Sequence, residues 1–194
     1  VLGPPPEDLG PNVIYQFKFD QDNGRLTPNT PFKLEPDGFL GPRHYCYHPS
    51  LDIVYFSNEQ GCSVSSYRLD SALGTLSPLQ TISTVPDGFE GRNTCSQIQI
   101  TSMGNLLYVP NRGHNSMAGF TVDSSGTLAA VGQVSTEAVP SAFSFDVTNN
   151  FLFAAGSASD RLAAYRVDQD TGDITLLDTY ETGKRPMEVL AIAF

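Results

Sequence analysis

A cation, an imidazole, an amide and a carboxylate fall within one short stretch, as Arg43, His44, Asn58 and Glu59 of Gly41–Glu59. A guanidinium binds planar anions through two parallel hydrogen bonds. An imidazole of ordinary pKa can take a proton near neutral pH. A carboxylate beside either group can hold it in place. A second polar set follows at Arg92-Asn93 and Asn111-Arg112-Gly113-His114. Two or three arginines aimed at one point suit a phosphate, a carboxylate, or the oxyanion that develops when water attacks an ester carbonyl. The catalytic candidates are therefore Arg43, His44, Glu59 and Arg112. The candidates for holding a substrate are Asn58, Arg92, Asn93, Asn111 and His114.

The elements that must position these groups are hairpins. Tyr45–Tyr47 and Ile53–Phe56 are rich in aromatic and β-branched residues, and His48-Pro49-Ser50-Leu51-Asp52 between them has turn composition. A turn centred near Leu51 sets Arg43 roughly opposite Glu59. A hairpin needs apolar strands and a turn, but not four polar groups at its mouth. The competing readings are an ordinary cross-strand ion pair for Arg43 and Glu59, and exposed loop residues for Arg112 and Arg92.

The hairpin belongs to a repeat. Phe17-Lys18-Phe19-Asp20, Tyr67-Arg68-Leu69-Asp70, Phe120-Thr121-Val122-Asp123 and Tyr165-Arg166-Val167-Asp168 share one form, and each is followed by Gly and then Leu or Ile. Pro36-Asp37-Gly38-Phe39-Leu40-Gly41 is echoed by Pro86-Asp87-Gly88-Phe89-Glu90-Gly91. Four short strands fit each unit: 43–48, 53–58, 62–69 and 79–84; then 95–100, 106–111, 116–122 and 129–135; then 141–146, 151–156, 161–167 and 175–181. The first unit keeps only a third strand, Val13–Phe19, and a fourth, Pro31–Leu34. Its inner strands would precede residue 1. Pro186–Phe194 reads as one last inner strand. No window carries a helical period. Four-stranded units at a period of about 40–50 residues specify a β-propeller. The fold class is all-β, with antiparallel four-stranded blades at about 36–85, 86–137 and 138–183. Partial blades lie at 1–35 and 184–194, and the whole of 1–194 forms a single domain. Open blade edges invite association, so either the chain is part of a longer polypeptide or another chain completes the ring. The four Asp residues read as turn formers, because Asp bonds its own downstream backbone and Gly supplies positive φ.

Structural demands recur in every blade, whereas chemical demands appear once. Arg43-His44 aligns with Asn93-Thr94 and then Ser141-Ala142. Asn58-Glu59 aligns with Asn111-Arg112 and then Gly156-Ser157. The polar set is thus confined to two neighbouring blades. The innermost strand of a blade lines the central channel, so both sets face one mouth of it, the default place for a ligand.

Composition narrows the ligand. The net charge is −10 with 11 Lys and Arg, so a nucleic-acid-binding face is not expected. No apolar run approaches the length of about 20 residues that a membrane span needs, and no leader peptide is visible. Cys46, Cys62 and Cys95 cannot all pair and fit no zinc spacing, so they read as free structural thiols of an intracellular, cytoplasmic protein. No metal motif, phosphate loop or nucleophile elbow is present, and no cofactor is expected.

At these residues the chain resembles a known family. Gly41-Pro42-Arg43-His44, His48-Pro49, Asn58-Glu59, Pro86-x-Gly88-Phe89-x-Gly91-x-Asn93 and Asn111-Arg112-Gly113-His114-x-Ser116 resemble, in order, the bacterial-type 6-phosphogluconolactonases. These belong to the seven-bladed propeller lactonases, together with fungal carboxy-cis,cis-muconate cyclases. The resemblance implies a seven-bladed ring, no metal, and hydrolysis of a phosphorylated sugar lactone in the pentose phosphate pathway. It also implies cleft roles for Arg43, Glu59 and Arg112. The partner would be a small anionic lactone or carboxylate. Alternatives are cyclisation of a carboxylated muconate, or a propeller that binds without catalysis. Two departures stand out. Gln97-Ile98-Gln99 replaces an acidic residue, Ile and His, and the family's Pro-His-x-His motif belongs to an earlier blade.

Overall fold

The structure, a computed structural model, describes residues 12–192. Fourteen strands form three four-stranded antiparallel sheets and one two-stranded sheet, with no helix among the described residues. The two-stranded sheet pairs β1 (Ile14–Asp20) with β2 (Arg25–Leu34). The second unit holds β3 (Pro42–Tyr47), β4 (Ile53–Asn58), β5 (Ser63–Asp70) and β6 (Thr75–Ser83). The third holds β7 (Gln99–Ile100), β8 (Leu106–Asn111), β9 (Ser116–Val122) and β10 (Leu128–Ser135). The fourth holds β11 (Pro140–Phe145), β12 (Phe151–Gly156), β13 (Arg161–Val167) and β14 (Ile174–Glu181). In each unit the strands lie side by side in chain order, the topology of a propeller blade.

The turn from third to fourth strand follows the expected chemistry. The Asp70 carboxylate accepts from the backbone N–H of Ala72 and Leu73 at 3.0 and 2.9 Å, and Gly74, at φ 67°, donates to the Asp70 carbonyl. Asp20, Asp123 and Asp168 cap their turns in the same way. These turns leave no loop, so the fourth strands start earlier than expected: β2 begins at Arg25 and β6 at Thr75. Pro28, Pro31 and Pro78 sit in these outer edge strands, where a missing N–H costs no ladder bond.

Two further expectations need correction. The inner strand of the third unit is only Gln99–Ile100, with an isolated bridge from Cys95 to Asn111. Between these pairings Ser96–Ile98 face only Val109 and Pro110, and proline has no N–H to offer the ladder. The segment from Pro186 forms no strand over the described residues. No described strand edge pairs with it, and an inner strand without a neighbour has nowhere to place its backbone hydrogen bonds. The last two residues of that expected strand, 193–194, lie outside the described residues.

The core lies between blades, because the second strands are buried on both faces. Val54 and Phe56 of β4 pack toward the first unit with Ile14 and Tyr67, while Ile53 and Tyr55 pack toward the third with Leu107, Val109 and Phe120. Leu106 and Tyr108 of β8 repeat the arrangement against Phe143, Leu152 and Tyr165 of the fourth. The second–third and third–fourth interfaces also carry a tyrosine latch. Tyr55 donates to the Gly126 carbonyl at 3.0 Å and Tyr108 to the Gly172 carbonyl at 2.8 Å, reaching into the Asp-Gly turn of the next blade. Nearer the axis, Ser57 donates to the Ser96 carbonyl at 2.8 Å and Ser96 to the Pro140 carbonyl at 2.9 Å. The blades are therefore locked in register at both radii. Tyr108→Phe should keep the packing but strip the acceptor of its partner, lowering unfolding free energy by about 1–2 kcal/mol in urea denaturation; an unchanged midpoint would show that the latch contributes nothing.

Candidate functional site

The mouth is built by a bulge. Pro42 pairs with Asn58 and His44 with Ser57, leaving Arg43 as the extra residue. A bulge re-aims the side chain it carries, and Arg43 turns toward Glu59, the residue after β4. Its Nε lies 3.5 Å from Glu59 Oε2. The other carboxylate oxygen accepts a hydrogen bond from Nη2 of Arg112, the residue after β8. That same nitrogen donates to the Cys95 carbonyl at 3.2 Å. One carboxylate thus joins guanidinium groups from two neighbouring blades. The Glu59 backbone repeats the bridge: its N–H donates to the Gly41 carbonyl at 2.8 Å, and its carbonyl accepts from Cys95 N–H at 3.2 Å.

The electrostatics favour an anion. The side chains of Arg112, Glu59 and Arg43 are 17, 30 and 32% exposed, so the cluster is part-sheltered but reachable. Arg112 Nε is buried and has no hydrogen-bond partner among the described residues. Desolvation lowers the Arg43 pKa, Glu59 opposes that, and Arg112 adds to it. The imidazole of His44, on the open inner strand, is also held below its usual pKa, by partial burial first and then by Arg43. The carboxylates of Glu188 and Glu59 pull the other way, and Arg112 adds a smaller push downward. His44 is therefore neutral at neutral pH and able to accept a proton.

Other expected site residues separate into two groups. Asn58 and Asn111 are wholly buried and Asn93 nearly so, which corrects their assignment to substrate binding. Asn58 Nδ2 donates to Ser63 and Ser65. Asn111 accepts from Thr84 and Asn93 while donating to the Thr84 carbonyl and Ser116. The Asn93 oxygen accepts from the N–H of Gly113 and His114 at 2.9 and 3.1 Å. Asn93 and Asn111 shape the loop that presents Arg112. Gly113 belongs to the same device, because a Cβ there would collide with the Arg92 carbonyl oxygen. Arg92 itself is exposed and makes no ion pair among the described residues. His114 packs edge-on against Phe89, ring centroids 4.9 Å apart, with Nδ1 2.8 Å from Ser116 Oγ. It stands on the loop rather than against Glu59.

The strand register also corrects one alignment. Cys46 pairs with Tyr55 and Gln99 with Tyr108, so Arg43-His44 corresponds to Ser96-Gln97 and not to Asn93-Thr94. Gln97 therefore holds the place of His44 in the next blade. Its oxygen accepts from Phe143 N–H at 2.8 Å, and its Nε2 donates to Glu188 Oε1 at 3.3 Å. Glu188 is a site residue that sequence reasoning missed. It comes from the tail rather than from the repeat, and only its lone charge among Pro186–Phe194 could have flagged it.

With this geometry in place, similarity to known proteins becomes informative. Residues 6–191 match the model of the family described as lactonase, 7-bladed beta-propeller. The chain belongs to that family. It is 36% identical over 167 residues to a 6-phosphogluconolactonase of Yersinia pestis, covering 86% of this chain and 50% of the relative. It is 38% identical over 171 residues to the 6-phosphogluconolactonase of Pectobacterium atrosepticum, covering 88 and 52%. Among solved structures, a Lactobacillus plantarum protein superposes with a TM-score of 0.86 at 28% identity, covering 93% of this chain and 52% of that one. A periplasmic gluconolactonase of Pseudomonas aeruginosa superposes at 0.84 with 27% identity, covering 91 and 50%. The chain spans about half the length of the curated relatives it matches.

Glu188 raises the His44 pKa. Glu188→Gln should therefore lower it further, read by NMR titration of the imidazole; a value identical to wild type would mean that the tail carboxylate does not act on His44.

Proposed function

We propose that the protein carrying this chain hydrolyses a phosphorylated sugar lactone, 6-phospho-D-glucono-1,5-lactone, within the pentose phosphate pathway. The observation that carries the reading is the cluster at the mouth, in which one carboxylate, Glu59, is shared by the part-exposed guanidinium groups of Arg43 and Arg112 and leaves an excess positive charge. An anionic oxygen that reaches the exposed edge of these guanidinium groups pairs with that excess charge. Relatives bearing the name 6-phosphogluconolactonase supply the substrate class.

The chemistry follows from charge. Water attacks the lactone carbonyl carbon, and the carbonyl oxygen becomes an oxyanion. Arg43 and Arg112 stabilise that oxyanion or hold the phosphate. The neutral His44 imidazole takes the proton from the attacking water. The ring C–O bond then breaks and the ring oxygen is protonated, giving the open-chain acid. Glu59 keeps both guanidinium groups converged and does not itself transfer the proton. The three cysteines are unpaired, which fits a reducing, cytoplasmic setting.

In the full-length polypeptide, Arg43→Ala and Arg112→Ala should each lower kcat/KM for the lactone at least about tenfold, a loss of about 1.4 kcal/mol of transition-state stabilisation. Wild-type kinetics in both variants would remove the assignment. The pH profile offers an independent check. Arg43 lowers the His44 pKa, so the acid limb of wild-type kcat/KM should lie below the usual imidazole value. Arg43→Ala should move whatever activity remains to a higher acid limb. A limb that stays put would exclude His44 as the base.

A further inference from the structure

The fourth blade repeats the Arg43 bulge with different chemistry. Pro140 pairs with Gly156 and Ala142 with Ala155, leaving Ser141 as the extra residue, as Arg43 is between Pro42 and His44. Glu59 follows Asn58, and Ser157 follows Gly156, so the two partners also correspond. Where the second blade has a guanidinium 3.5 Å from a carboxylate, the fourth has Ser141 Oγ 3.0 Å from Ser157 Oγ. Register alone places both pairs on one rim of the propeller.

The local backbone supports this hydroxyl pair. Val139 stands where the second blade has Gly41, and both have positive φ, 56° and 63°. A β-branched residue there is unfavourable. The Val139 carbonyl faces both hydroxyls, at 3.2 Å from Ser141 Oγ and 3.1 Å from Ser157 Oγ, and also accepts from Ser157 N–H. Glu137 and Arg161 of the same blade answer each other at 3.6 Å.

Proton counting sets the polarity. Each hydroxyl has one hydrogen and two lone pairs. With Ser157 donating to Val139 and Ser141 donating to Ser157, both hydrogens are spent internally. Ser141 keeps two free lone pairs and Ser157 one. The pair is an acceptor surface, whereas the arginine cluster is a donor surface.

We propose that Ser141 and Ser157 form a second subsite on this rim, which accepts hydrogen bonds from the hydroxyls of a polyol ring or its open-chain acid. The subsite deepens the lactonase reading: the arginines take the anionic oxygens, and the serines select a hydroxylated substrate over a plain one.

The test compares two lactones in the full-length polypeptide. Ser141→Ala/Ser157→Ala should lower kcat/KM for 6-phosphoglucono-1,5-lactone about tenfold, in line with lost hydrogen bonds to substrate, and leave δ-valerolactone unchanged. An equal loss on both lactones, or no loss, overturns the subsite. A direct readout stands apart from turnover. D-gluconate should shift the Ser141 and Ser157 backbone amides in NMR titrations of the wild type, and hexanoate, a carboxylate without hydroxyls, should not. Amides unmoved by gluconate, or moved equally by both, overturn the proposal whatever the kinetics. A wild type that hydrolyses no lactone, yet shows the gluconate-specific shifts, would instead sink the lactonase reading and keep the subsite.

Discussion

The site rests on one carboxylate shared by two guanidinium groups from different blades. Like charges brought to one carboxylate repel each other, so Arg43 and Arg112 need a counter-charge between them. Glu59 supplies it, with one oxygen toward each. The cluster keeps a net positive charge of one in a chain whose overall charge is −10. That local excess of positive charge runs against the sign of the chain as a whole, so it favours an anion through sign rather than shape.

That arrangement depends on how rigidly the blades are set against each other. Exposed ion pairs tie side chains down weakly, so Glu59 cannot itself fix the blade spacing. The fixing is done behind it. The Glu59 carbonyl accepts from Cys95 N–H, Ser57 reaches the Ser96 carbonyl, and Tyr55 latches the far turn at Gly126. Asn111 ties the start of the Arg112 loop to Thr84 in the preceding segment. Asn93 and Asn111 hold these joints with both ends of each amide bonded, whereas a half-satisfied polar network would loosen them.

The fold was legible because its signals repeat. The aromatic-x-apolar-Asp turn appears four times, three with the same backbone bonds and the one at Asp123 a residue shorter, and the strand limits follow within a few residues. What failed was local. Pro110 thins the ladder to β7, and the bulge that recurs in each inner strand sets His44 level with Gln97, which no motif announces. Asn58 and Asn111 occupy equivalent places in two blades, so the rule that recurrence marks structure already pointed to their interior role. Their neighbours Glu59 and Arg112 differ from blade to blade, and these form the cluster. Glu188 was illegible because it lies outside the repeat, where no equivalent position exists for comparison.

The two arginines perform two tasks with one charge. An anion needs them cationic, and they remain so because even a lowered guanidinium pKa lies far above neutrality. A base needs the imidazole beside them uncharged, and their positive field, added to partial desolvation, keeps His44 in that state. Glu188 and Glu59 act against this shift, which limits it. An imidazole pushed too far down would be neutral yet too weak a base to take a proton from water. The opposing carboxylates therefore limit how far the His44 pKa falls. One of them comes from the repeat and the other from the tail, so the tail that forms no strand still takes part in setting the chemistry of the mouth.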